Sequence, residues 1–190
     1  MWVCITDGEV LSKCIIVVGP ESSGSMLIAK ICAHALDLAE FGDWNGVGGI
    51  GDDKVGDKVI HRSLPYGDPP IFPNIKNWIE EYGNSHELYF VLTTRDISMS
   101  EVSRHNRWSK TFKQSTVESD KAREILTGIM KDESDLDYII WSYESFMFLK
   151  EDYLQTLYDF IGVKSDFIPK LIDANRRKVG GWGDEVLEKE

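Results

Sequence analysis

The chain is poor in cysteine, in histidine and in positive charge. Its 190 residues include three cysteines and four histidines, and 21 Lys and Arg stand against 32 Asp and Glu, a formal net charge of −11. A surplus of acid argues against a nucleic-acid polymer as partner, because phosphate backbones are met by basic faces. It argues equally against docking on an anionic membrane surface. Cys4, Cys14 and Cys32 are odd in number and lack metal-type spacing, so they read as reduced, core-filling thiols in a cytoplasmic setting. No apolar run approaches the ~20 residues of a membrane span. The first strong run, residues 14–18, meets Gly19-Pro20 at once and is too short for a signal peptide. No internal repeat is visible.

What remains is the composition of a folded domain. Hydrophobic residues make up 42% and charged residues 28%, outside the range of disordered chains. The length suits one domain with a real core. Four apolar runs, residues 14–18, 59–61, 88–93 and 138–141, read as buried strands, and three of them do not alternate with polar residues, as expected of buried parallel strands. Helical patterns cover residues 24–40, 75–82, 98–108, 119–131, 152–161 and 166–174. Alternation of the two predicts a single α/β domain of three layers, P-loop-like, with a mostly parallel central sheet of about four or five strands flanked by helices. Ligands are expected at the carboxyl ends of the strands.

Two loops stand out. Residues 42–58 carry six glycines and are expected to hold no regular element. Residues 63–73 carry four of the six prolines and read as a stiff, extended connection.

The strongest motif follows the first strand. Gly19-Pro20-Glu21-Ser22-Ser23-Gly24-Ser25-Met26 leads from strand to helix. Such a loop aims free N–H groups and a helix N-terminus at an anion. Gly19 and Gly24 have the spacing of the nucleotide-binding P-loop, but the lysine that should follow is Ser25. A small-molecule kinase is thereby weakened, because the β/γ-phosphates lose their point charge. Further on, Arg95 leaves a strand end and Ser103 sits eight residues later in the next helix. An arginine fork and a hydroxyl together suit a terminal phosphate.

These motifs resemble those of the sulfotransferases that use 3′-phosphoadenosine 5′-phosphosulfate. The family's P-x-[RK]-S-G-T-[ST]-[LW] loop is similar to Pro20-Glu21-Ser22-Ser23-Gly24-Ser25-Met26-Leu27. Its R-[ND]-P motif, with a serine eight residues on, is similar to Arg95-Asp96-Ile97 and Ser103. Its Y-E-[DE]-L strand end and its [FL]-[LI]-G-[VL] helix end resemble Tyr143-Glu144-Ser145-Phe146 and Phe160-Ile161-Gly162-Val163. Near the C-terminus, Arg176-Arg177-Lys178-Val179-Gly180-Gly181-Trp182 looks like the family's R-K-G-x-x-G-x-W stretch. The chain is short and divergent for this family.

The resemblance implies roles. Backbone N–H groups of Ser22, Ser23, Gly24, Ser25 and Met26 would hold the phosphosulfate. Arg95 and Ser103 would hold the 3′-phosphate, with Arg177 and Lys178 closing over it. The product would be adenosine 3′,5′-bisphosphate, and the acceptor a small or carbohydrate-like molecule. The family's basic residue in the first loop falls on Ser22, so another cation, Arg62 or Lys178, would have to replace it, or the protein binds nucleotide without turnover. The family's K-[TS]-H-L-P stretch matches His61-Arg62-Ser63-Leu64-Pro65, with Ser63 on the position of the base. His61, two residues earlier on the same strand face, is then the expected general base, with an ordinary imidazole pKa. A structural histidine, or a carboxylate led by Glu21, are the alternatives. No metal is expected, since no His, Cys or carboxylate cluster has ligand spacing.

Overall fold

The computed structural model describes residues 11–52, 56–133 and 135–175. Cys4, Arg177, Lys178 and the rest of the C-terminal basic stretch lie outside them.

Among the described residues, five strands form one sheet. They are β1 (Ser12–Pro20), β2 (Gly48–Gly51), β3 (Lys58–Leu64), β4 (His86–Thr94) and β5 (Asp137–Ser142), in the order β2-β3-β1-β4-β5. β1 pairs in parallel with β3 and β4, β4 in parallel with β5, and β2 runs antiparallel to β3. The expected α/β class and mostly parallel sheet are therefore present. Six helices accompany them among the described residues: α1 (Ser25–Ala35), α2 (Ile75–Tyr82), α3 (Ile97–Trp108), α4 (Phe112–Asp132), α5 (Tyr143–Leu149) and α6 (Glu151–Phe160). None of these helices is long and apolar enough to cross a membrane.

The period of two along β1 divides the core. Ile15 and Val17 pack on one face with Ile28, Ile31 and Trp141, while Cys14, Ile16 and Val18 pack on the other with Phe90, Ala122 and Leu126. Both faces of the central strand are thus covered, which is why it reads as an unbroken apolar run. Burial pushes the Cys14 and Cys32 thiols up to about 12, so both are inert core filling at neutral pH.

Four expectations need correction. Residues 42–58 do hold an element, since β2 lies inside them and is kept by backbone pairing to β3 and by Ile50 packing into the core. Residues 166–174 are not helical. Pro169 removes an N–H there and disfavours the helical region for Ile168. α1 stops at Ala35, not at residue 40. Asp37 takes a left-handed φ of 55°, and Leu38 N–H returns to the Ala33 carbonyl at 2.9 Å, a Schellman closure. α4 starts seven residues earlier than the apolar pattern suggests. Thr111 caps it by accepting from Gln114 N–H at 3.2 Å, the S/T-x-x-E/Q signature of a helix start.

Because the strands around β1 are parallel, the ends of β1, β3, β4 and β5 fall on one edge of the sheet. The chain passes from β1 to β3 on one side, then crosses to β4 on the other. The β1–α1 loop therefore sits at the switch point of the sheet.

Candidate functional site

β1 ends against β4. A Cβ at Gly19 would collide with the hydroxyl and carbonyl oxygens of Thr93, so the close approach requires glycine. The chain then turns through Ser22 (φ 70°) and Gly24 (φ 91°) into α1. Gly24 lies under the Tyr143 ring, and a Cβ there would come within 2.9 Å of it.

Backbone bonding leaves this loop rich in free donors. Glu21 N–H goes to the Leu64 carbonyl and Ser23 N–H to the Pro20 carbonyl, each at 3.0 Å. Among the described residues, the N–H groups of Ser22, Gly24, Ser25 and Met26 have no partner. Ser23 is a correction to the expected set. Its N–H closes the turn, and its hydroxyl lies 2.6 Å from Thr93 Oγ1, on the side away from the cleft. Ser22 Oγ is buried with no hydrogen-bond partner.

The free donors face a cleft of about 1070 Å³. Ser22, Gly24, Ser25, Met26, Arg95 and Ser103 all line it, so six of the residues singled out in the sequence come together. Four cations also line it, Lys30, Arg95, Arg107 and Lys110, against the carboxylates Glu21 and Asp68. Positive charge therefore gathers here in spite of the acidic chain.

Arg95 is held on three sides. It lies 4.4 Å from the centroid of the Tyr143 ring. One Nη donates to the Ser22 carbonyl at 3.0 Å, while Nε donates to Asn175 Oδ1 at 2.9 Å and the other Nη shares that oxygen. Burial lowers the Arg95 pKa, opposed by the charges of Tyr143 and Glu144. Asn175 comes from the segment after α6. That segment is tied down by Ala174 N–H to Tyr143 Oη at 2.8 Å and by Asn175 N–H to Asp173 Oδ1 at 2.9 Å. No sequence signal pointed to Asn175, because its partners are 31 and 80 residues away.

His61 is found in a role other than the expected one. Only 2% exposed, it gives its Nδ1–H to the Gly46 carbonyl, which can only accept. Nε2 therefore accepts, from the Ser25 hydroxyl at 2.8 Å. Burial is the chief cause that brings its pKa down to about 4, against the raising effect of the Gly46 bond. The imidazole is neutral at physiological pH, not poised near its ordinary value, and it meets the cleft only through Ser25.

Glu21 is equally committed. Its Oε2 accepts from Arg104 Nε at 2.9 Å and from Lys110 Nζ at 2.8 Å. Arg104 has no exposed surface and also donates to Glu118, to the Ser115 carbonyl at 2.8 Å and to Ser119 Oγ at 3.1 Å. Lys110 completes the square by donating to Glu118 Oε2 at 2.9 Å. Burial alone would raise the Glu118 pKa, but bonds from Lys110 and Gln114 and the Arg104 charge hold it below its usual value. The cleft-facing Glu21 is therefore tied up by two cations on one oxygen. Arg62 also departs from expectation. One residue on from His61, it emerges on the other face of the sheet, outside this cleft.

Among the described residues, no group of three or more His, Cys, Asp or Glu side chains is placed to hold a metal ion. Compared with family models, with curated proteins and with solved structures, the chain matches none.

Proposed function

We propose that the protein is a sulfotransferase of P-loop-like fold that uses 3′-phosphoadenosine 5′-phosphosulfate. One observation carries this reading: four unpaired backbone N–H groups at the head of α1 share a cleft with Arg95 and Ser103. The orphaned Ser22 hydroxyl suits the same anion. At about 1070 Å³ the cleft can take a nucleotide together with a small acceptor. Oδ1 of Asn175 already sits in the Arg95 fork, where an oxygen of the 3′-phosphate would replace it.

The reaction is an in-line displacement. An acceptor oxygen or nitrogen forms a bond to sulfur as the bond from sulfur to the bridging phosphate oxygen breaks. Adenosine 3′,5′-bisphosphate leaves with that electron pair. The loop N–H groups stabilise charge on the phosphosulfate oxygens, and Lys30 supplies positive charge that Ser22 does not. The proton of the acceptor goes to Asp68, a cleft carboxylate with no hydrogen bond or ion pair among the described residues. His61 keeps the Ser25 hydroxyl in place.

Thermal melts with and without adenosine 3′,5′-bisphosphate test the reading. The nucleotide should raise the melting temperature, and Arg95→Ala should abolish the shift. Asp68→Asn should keep the shift and lose transfer of labelled sulfate. A shift without any transfer in the wild type leaves a nucleotide-binding protein on the same fold. No shift at millimolar nucleotide rejects both.

A further inference from the structure

A second groove opens on the far side of β3. Lys58, Ile60, Arg62 and Leu64 share the strand face opposite His61. The register sets Gly49 beside Ile60 and Gly51 beside Lys58, so these glycines of β2 lie on the Arg62 face. The result is a groove of about 500 Å³ with bare peptide for a floor. Trp78 and Tyr82, four residues apart on α2, form one wall, and Tyr66 forms another.

Two features of this groove lack a structural explanation. The first is Arg62. The residue is half-buried, with its guanidinium 5.2 Å from the centroid of the Tyr66 ring, and it makes no hydrogen bond or ion pair among the described residues. No Arg62 nitrogen is cut off from water, so the fork stays open to an anion that enters the groove. The second is Gly49. Gly48 and Gly51 have φ of 84° and 109° and need glycine, but Gly49 does not have a left-handed φ. An added Cβ there would approach no atom closer than 3.9 Å. Neither backbone nor packing calls for glycine at this position. Its effect is to keep the floor open.

We propose that this groove binds a saccharide ring bearing a carboxylate. The ring stacks on the Trp78 and Tyr82 wall, its carboxylate meets the Arg62 fork, and its hydroxyls reach the backbone of the edge strand β2. An aryl carboxylate would use the walls and Arg62 but leave the peptide floor unused. Tyr66 lines both groove and cleft, so a bound chain is directed toward the β1–α1 loop. The inference does not depend on the proposed reaction, since it concerns binding without nucleotide.

Titration calorimetry on the full chain tests it with three probes: a tetrasaccharide alternating glucuronate and N-acetylglucosamine, a neutral N-acetylglucosamine tetramer, and 2-naphthoate. The acidic tetrasaccharide should bind about tenfold or more tightly than the neutral one, and Arg62→Ala should remove that preference. Gly49→Ala should weaken binding severalfold without lowering the melting temperature, because the added Cβ meets no atom closer than 3.9 Å. Three results would overturn the proposal: no binding of the acidic tetrasaccharide at millimolar concentration, binding indifferent to both substitutions, or tighter binding of 2-naphthoate, which would make this an aryl-anion groove.

Discussion

The two ends of the β1–α1 loop are held by opposite kinds of force. At the Glu21 end, two carboxylates and two cations from the loop, from α3, from Lys110 between the helices and from α4 form a buried square. At the Ser25 end, a neutral imidazole joins a hydroxyl to a backbone carbonyl. The charged end fixes the loop to the α3–α4 side of the sheet, and the neutral end fixes it to β3 and to the segment before β2. Neither anchor uses the backbone donors of the loop, so Ser22, Gly24, Ser25 and Met26 keep their N–H groups for an anion. The square also cancels its own charge. What pulls an anion into the cleft comes chiefly from Lys30, Arg95 and Arg107, which lie outside it.

Breaking the charged end should have the largest effect. Arg104→Ala leaves Glu21 and Glu118 buried with Lys110 as their remaining cation. The expected loss is about 3–5 kcal/mol, read as a lower urea midpoint at unchanged slope. A loss under about 1 kcal/mol would place the square among solvent-screened surface pairs and remove the contrast between the two ends.

The neutral end should show itself through pH. His61 has a pKa of about 4 in the fold, against an ordinary 6.5 once unfolded. Between these values the unfolded chain binds a proton that the folded chain refuses, so stability falls as pH drops from 6.5 toward 4. The full effect is up to about 3 kcal/mol. Glu118 acts lower down. Its depressed pKa gives stability that is present above the ordinary 4.5 and lost as pH falls through the lower folded value. In melts from pH 7 to 4, His61→Gln should therefore flatten the upper part of the acid limb and leave the part below about 4.5. An unchanged profile would mean that His61 is solvated, and only the charged end would then respond to acid.

The contrast between the ends marks how far the sequence could be read. β1, the loop, Arg95 and Ser103 follow one another with local spacing, and strand–loop–helix alternation brings them to one edge with no long-range information. The face of His61 was legible from strand parity, and the same parity puts Arg62 on the opposite side, against its expected place in the cleft. That Ser25 would occupy Nε2 was not legible, because Gly46 and Ser25 lie 15 and 36 residues from His61. The charged square joins residues 83 and 89 positions apart, so Glu21 read as a free carboxylate. β2 was hidden by its glycines. The segment after α6 was misread as a helix because its apolar spacing outweighed Pro169.

Between the two ends lies a weaker tether, Ser23 to Thr93, and it should give the smallest loss. Thr93 Oγ1 also approaches the Val18 carbonyl at 3.4 Å, and a carbonyl can only accept. If Thr93 gives its proton to Val18, the Ser23 hydroxyl must be the donor in the 2.6 Å bond. The two truncations are then unequal. Ser23→Ala removes a donor and leaves the Thr93 proton satisfied, at a cost of about 1 kcal/mol. Thr93→Val keeps the volume but strands the buried Ser23 proton, at a cost nearer 2 kcal/mol. Urea unfolding of both variants and of the double mutant measures the difference. Equal losses would make Thr93 the donor to Ser23 and cut the link to β1. Because the Ser23 side chain points away from the cleft, neither substitution should change the thermal shift given by the bisphosphate. A lost shift would mean that this tether, and not the two strong ends, sets the geometry of the free N–H groups.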